Sequence, residues 1–92
     1  MQFIWDETKA KDNERDHGVA FEEAKEAFRD PHALEECDGM HDEKEPRFWL
    51  IGLSSRRLLL VVFSTPDDET IRIISVRKAA PTLKRAYEKQ KI

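Results

Sequence analysis

A single cysteine, three glycines and four prolines in 92 residues exclude several familiar architectures. Cys37 alone cannot close an internal disulfide, so the fold must rest on a buried core and not on a disulfide framework. There is no glycine-rich loop to cradle a phosphate, no paired-cysteine zinc signature and no nucleophile elbow, and most enzyme classes lose support with them. No apolar run approaches the roughly 20 residues of a membrane span. The start, Met-Gln-Phe-Ile-Trp-Asp, lacks the basic opening and long apolar stretch of a signal peptide, so a cytoplasmic protein with no membrane partner is expected.

What the chain has is charge, and the charge is sorted. Charged residues make up 38% of the sequence and hydrophobic ones 39%, enough apolar material for one core under a heavily solvated surface. The length suits a single domain spanning residues 1–92. Residues 1–46 carry 6 basic and 15 acidic side chains, residues 47–70 carry 3 and 3, and residues 71–92 carry 7 and 1. A basic end on an acidic protein marks an anion site, a surface for an oppositely charged partner, or simply a solvated basic helix.

Taken in order, Phe3, Ile4 and Trp5 read as a short strand, and Asp6 can cap a helix over Glu7–His17 that closes at Gly18. That helix has only Ala10 as an apolar residue, so it rests on caps and propensity. From Val19 a second helix places Phe21, Ala24, Ala27 and Phe28 inward and Glu22, Glu23, Lys25 and Glu26 on the wet side, and Asp30-Pro31 ends it. Ala33–Glu36 suits a brief edge strand, and Glu36–Pro46 a polar loop. Strands starting near residues 47, 58 and 71 then form an antiparallel meander, followed by a helix beginning near Pro81 with Leu83, Ala86 and Tyr87 on one side among Lys84, Arg85, Lys89 and Lys91. The expected class is α+β.

The organising stretch is Ile71–Lys78, apolar on both faces until it ends in Arg77 and Lys78. Strict alternation puts Ile71, Ile73, Ser75 and Arg77 on one face and Arg72, Ile74, Val76 and Lys78 on the other, as in a strand covered on both sides. Arg47, Arg77, Lys78 and Arg72 are the cations that strand ends would gather at one sheet surface. A guanidinium fork matches phosphate oxygens in two-point contact. The same arginines would equally pair with Asp67, Asp68 and Glu69, and the residues alone do not choose. His17, His32, His41 and Cys37 match no ligand spacing, so no metal or other cofactor is expected. His17 also has a structural role open to it, as a cation at the negative end of a helix dipole.

At these residues the chain resembles a known family. Phe3-x-Trp5-Asp6, His17-Gly18-Val19-x-Phe21-Glu22-Glu23-Ala24, Asp30-Pro31, Arg47-Phe48-x-x-Ile51-Gly52, Ile71-Arg72-Ile73-Ile74-Ser75-x-Arg77-x-Ala79 and Tyr87 are similar, in that order, to the BrnT family of type II toxins. The resemblance runs nearly end to end. It implies a RelE-like fold with two N-terminal helices and one C-terminal helix on the antiparallel sheet. It further implies a metal-independent endoribonuclease that arrests translation, and a BrnA-like ribbon-helix-helix antitoxin encoded by the adjacent gene, through which alone the complex meets operator DNA. The chain departs from the family pattern at Asp16, where a basic residue is usual, at Ala20, at Phe63-Ser64, where a histidine closes the strand, and at Lys78 and Leu83. Under this resemblance Arg47, Arg77 and Lys78 hold the RNA phosphate, and His17, Tyr87 or Glu69 supplies the base or acid. The alternative is a degenerate toxin that serves as a binding module in an antitoxin–DNA complex.

Overall fold

The computed structural model describes residues 1–38 and 45–90. Its order is β1 (Gln2–Ile4), α1 (Glu7–His17), α2 (Phe21–Ala27), β2 (Leu34–Cys37), β3 (Arg47–Leu53), β4 (Leu58–Asp67), β5 (Thr70–Lys78) and α3 (Pro81–Lys89). The five strands form one sheet in the order β1-β5-β4-β3-β2. β2 to β5 pair antiparallel, as the hairpin turns require, while β1 adds parallel to β5 and makes the sheet mixed. β3 and β5 therefore run in the same direction on either side of β4.

One face of the sheet carries the main core. Val19, Phe21, Ala24 and Ala27 meet Leu50, Leu59, Val61, Phe63, Ile71, Ile73 and Val76 there, with Phe3, Phe28 and Phe48 packed around them. The rings of Phe3, Phe28, Phe63 and Phe48 form a chain with centroids 5.0–5.4 Å apart. Gly52 lets α2 approach: a Cβ there would stand 2.5 Å from the carbonyl oxygen of Ala27, so the close packing of helix on strand needs this glycine.

β5 does not keep strict alternation. The register slips between Val62 and Phe63, so that Phe63 faces Ile73 while Val62 faces Ser75, and Ile74 is the extra residue of a bulge. Ile71, Ile73 and Val76 all reach the core, and Arg72, Ser75 and Arg77 share the opposite face. The phase read from period two holds up to Ile73 and inverts beyond it.

α1 forms where its caps put it, with Asp6 accepting from the backbone N–H of Lys9 at 3.1 Å and Gly18 closing it in the left-handed region at φ 69°. What fixes it to the fold is Asn13. β1 covers only the first residues of β5, and beyond it the Asn13 side chain takes the place of a neighbouring strand. Its Oδ1 accepts from the N–H of Val76 at 3.0 Å, and its Nδ2 donates to the carbonyls of Val76 at 2.8 Å and Val19 at 2.9 Å.

α2 departs from the expected wet face at Glu23, which is buried. Arg57 grips it in two-point contact at 2.9 and 2.8 Å, and Ser54 donates to it at 2.7 Å. The Arg57 contact, helped by Ser54 and against the pull of burial, holds the Glu23 carboxyl below its ordinary value of 4.5. A depressed folded-state pKa contributes stability that is complete above the unfolded value and is lost as pH falls through the folded one. Glu23→Gln should therefore destabilise the protein at pH 7, and its difference from wild type should shrink as urea titrations move below about pH 4.5. A difference constant from pH 7 to pH 3 would contradict this linkage.

Candidate nucleic-acid interface

The other sheet face is built from the residues that alternate with the core. Trp49, Val62 and Ser75 lie in one cross-strand row, Ile51, Leu60 and Arg77 in the next, and Arg47, Ser64 and Arg72 in a third. α3 covers one part of this face, over β3, where Ile51 and Tyr87 are buried. Trp49, Leu60, Val62 and Ile74 stay only half-buried, so an apolar strip flanked by arginines is open to a ligand. Exposed aromatic and aliphatic groups among cations suit unstacked bases and their phosphates.

The structure separates the cations expected to act together. Arg47 sits across Ser64 from Arg72, at the end of the sheet where β3 and β5 begin. Arg77 and Lys78 lie at the other end of β5, Arg77 on the open face about 15 Å along the strand from Arg72, and Lys78, opposite the core residue Leu59, on the other face. The reason is direction: β3 and β5 run parallel, so their cationic ends are opposite, and Arg72 replaces Arg77 as the neighbour of Arg47.

α1 contributes to both ends. Lys9 lines a small concavity of about 110 Å³ together with Glu45, Arg47, Ser64, Arg72 and Ile74. Asn13, one turn on, is fixed at Val76, so His17, one turn further, stands near the level of Lys78 with its imidazole exposed. The two resulting groups are Lys9, Arg47 and Arg72 at one end, and His17, Arg77 and Lys78 at the other. Neither Arg77 nor Lys78 is paired with an acid among the described residues.

Two expected proton-transfer candidates stand elsewhere. Tyr87 is buried, its hydroxyl donates to the Asp30 carboxylate, and burial together with Asp30 pushes its pKa up to about 12. Asp30 also accepts from the N–H groups of Leu53 and His32 and is held below its ordinary range, because these bonds outweigh the effect of its partial burial. Tyr87 thus ties α3 to the end of α2. Glu69 lies in the exposed turn before β5, at the Arg72 end and remote from His17. Phe63 is a core residue and Trp49 is half-buried, so of these two aromatic groups only Trp49 has surface open to a partner. Ala86 faces solvent beside Arg85.

The residues that the sequence did not propose for the site are Lys9, Glu45 and Ser64, the last named only as a departure from the family pattern. Ser64 is buried and donates to Glu45 Oε2 at 2.7 Å, while Arg72 Nη2 donates to Oε1 at 3.2 Å. Only the strand register, which no local pattern encodes, brings these groups together. Among the described residues no three of His, Cys, Asp and Glu converge to hold a metal ion, and no helix is long and apolar enough to cross a membrane. His41, Lys91 and the centre of the polar loop lie outside the described residues.

Known proteins bear on this arrangement. A family model described as the ribonuclease toxin BrnT of type II toxin–antitoxin systems matches residues 5–82. Among solved structures, the chain is similar to the crystal structure of the Brucella abortus ribonuclease toxin BrnT, with 24% sequence identity, a TM-score of 0.64, and coverage of 87% of this chain and 97% of that one. At that identity the likeness speaks to the α+β fold alone. No curated protein matches the chain.

Proposed function

The chain belongs to the BrnT family of ribonuclease toxins of type II toxin–antitoxin systems, and from that premise we propose that it is a metal-independent endoribonuclease acting through the open sheet face. The observation that carries this reading is the apolar strip with Trp49 at its centre, bordered by cations at both ends. A base stacks on Trp49, Arg77 on the same face holds the phosphate to be cleaved, and Lys78 reaches that phosphate from around the end of the sheet. His17 takes the proton of the 2′-hydroxyl, whose oxygen attacks phosphorus. The bond to the 5′-oxygen breaks, and solvent protonates the leaving oxygen. The products are a 2′,3′-cyclic phosphate and a 5′-hydroxyl.

The two cations offset charge that builds on the non-bridging oxygens in the transition state, the kind of contact that contributes most in a partly desolvated site. Proton transfer by a positioned histidine is worth roughly 10² to 10⁴ in rate. Tyr87 and Glu69 have no part in this scheme, the first because its hydroxyl is committed to Asp30, the second because it stands at the other end of the sheet. Arg47, with Arg72, holds RNA away from the reacting bond.

Purified protein incubated with RNA should cleave it in excess chelator, and the fragments should carry cyclic phosphate and 5′-hydroxyl ends. Cleavage that stops in chelator and returns with a divalent ion, or that leaves 5′-phosphate ends, would overturn the scheme. The family implies an antitoxin partner. We assign that role to a BrnA-like ribbon-helix-helix protein from the adjacent gene, covering the basic surface of Arg77, Lys78, Lys84 and Arg85 and reaching operator DNA only through its own domain. A cytoplasmic site of action follows from an RNA substrate. The second reading, a weak toxin kept as a binding module, draws on the seat of Glu45 beside Arg72, and the same cleavage assay separates it from the first.

A further inference from the structure

We infer that Lys9, Arg47, Ser64 and Arg72 form a second phosphate subsite on the RNA path, and that Glu45 is its built-in competitor, a carboxylate that RNA must displace. The inference rests on the RNA reading of the sheet face and adds a site to it. Its ground is the way Glu45 is held. One carboxylate oxygen accepts from the buried Ser64 hydroxyl at 2.7 Å and the other from the Arg72 guanidinium at 3.2 Å. Lys9, Arg47 and Ile74 close the remainder of the concavity. Three cations surround one carboxylate, so the cradle keeps a positive surplus even when Glu45 fills it.

A phosphodiester offers the same features as that carboxylate. It carries one negative charge and two non-bridging oxygens, the pattern to which a hydroxyl and a guanidinium fork donate. The exchange is nearly balanced in charge and in hydrogen bonds, and so turns on modest differences. The Arg72 side chain is 45% exposed and that of Glu45 25%, and exposed ion pairs of this kind contribute little, so Glu45 leaves at small cost. The Ser64 hydrogen bond, with Arg72 in support and against the pull of partial burial, holds the Glu45 carboxyl below its ordinary range. At neutral pH the competitor is therefore fully charged.

Arg72 and Arg77 share the open face about 15 Å apart, on the order of two or three nucleotides of an extended strand. A strand crossing Trp49 would then place one phosphate at each end of the face. In this arrangement Glu45 lowers the affinity for RNA without touching the bond that is cleaved.

The test uses the whole chain and a fluorescein-labelled DNA oligonucleotide, which lacks the attacking 2′-hydroxyl and cannot be cut. Anisotropy titrations compare wild type, Glu45→Gln, Arg72→Ala, the Glu45→Gln/Arg72→Ala pair, and Asp68→Asn as a control with the same change of charge on the exposed β4–β5 turn. Glu45→Gln should bind about five- to tenfold tighter, and Asp68→Asn less than about twofold tighter. Arg72→Ala should weaken binding and abolish the gain from Glu45→Gln. Glu45→Ala should reproduce the gain, which separates lost charge from a new hydrogen bond. A gain no larger than that of Asp68→Asn, a gain that survives Arg72→Ala, or an oligonucleotide that no variant binds would overturn the subsite. If the gain appears while no variant cleaves RNA, the anion subsite stands and the nuclease reading falls.

Discussion

Arg77→Ala combined with Lys78→Ala is expected to lower RNA cleavage by about a hundredfold or more and to abolish growth arrest on expression, while moving the melting temperature by less than about 2 °C. The two halves of this result have separate physical origins. Both side chains are exposed at the end of β5 and neither is tied to an acid among the described residues, so removing them leaves no buried group unsatisfied. Charge offset at the reacting phosphate, by contrast, exists only when substrate is bound. Arg47→Ala with Arg72→Ala should instead weaken RNA binding and leave the rate at saturating RNA much less affected, because that pair holds a phosphate away from the reacting bond. Cleavage assays as a function of RNA concentration, run beside thermal melts, check both. A double variant at Arg77 and Lys78 that melts ten degrees lower would mark the pair as part of the scaffold.

Asn13→Ala should cost about 2–4 kcal/mol of stability, or about 10–20 °C in melting temperature for a domain of this size. The side chain is buried and makes three hydrogen bonds, two of which satisfy the N–H and the carbonyl of Val76 where β5 has no strand beside it. Alanine leaves those backbone groups without partners, and an unsatisfied buried group costs about 1–3 kcal/mol. Asn13→Asp should rescue little, since aspartate keeps the acceptor for the Val76 N–H but loses both donors and adds a buried charge. The consequence reaches function, because α1 carries Lys9 and His17 to the two ends of the sheet face and Asn13 sets where along β5 that helix lies. Urea denaturation decides the matter, and a loss below about 0.5 kcal/mol would show that α1 is held by its caps and Ala10 instead.

Much of this fold was legible because local chemistry encodes it. Asp6 and Gly18 bound α1, Pro81 opens α3, and the unbroken apolar run Leu58–Phe63 forms the first part of β4. The family's order of motifs supplied the α+β class as a whole. What was not legible depends on distant parts of the chain. The bulge at Ile74 comes from the pairing of β4 with β5 and turns the far part of β5 over, which no count of alternation along β5 can detect. Glu23 belongs to a wet helical face by spacing, and only Arg57, thirty-four residues away, makes its burial tolerable. Asn13 sits among charged residues in a helix that lacks an apolar stripe, and the missing stripe was itself the signal that something other than hydrophobic burial must hold it.

The candidate site was half visible for the same reason. Arginines and a lysine at strand ends point to phosphate, but which of them stand together depends on strand direction. Because β3 and β5 are parallel neighbours of β4, Arg47 finds Arg72 and not Arg77. Ser64 and Glu45 carry no motif, and their contact links a strand residue to one nineteen positions earlier. Tyr87 looked available as an acid because its burial against Asp30 follows from where α3 docks, which the sequence of that helix alone does not fix.

The central claim is that RNA lies on the sheet face opposite α2, across Trp49 and between two groups of cations. Backbone amide chemical shifts recorded while the uncleavable oligonucleotide is titrated into the protein test it most directly. The account predicts shifts concentrated at Trp49, Leu60, Val62, Arg72, Ser75 and Arg77, with the indole signal of Trp49 moving and that of Trp5, packed edge-on against Phe21 on the core side, staying in place. Shifts confined to α2 and the Trp5 side, with the Trp49 indole unmoved, would contradict it.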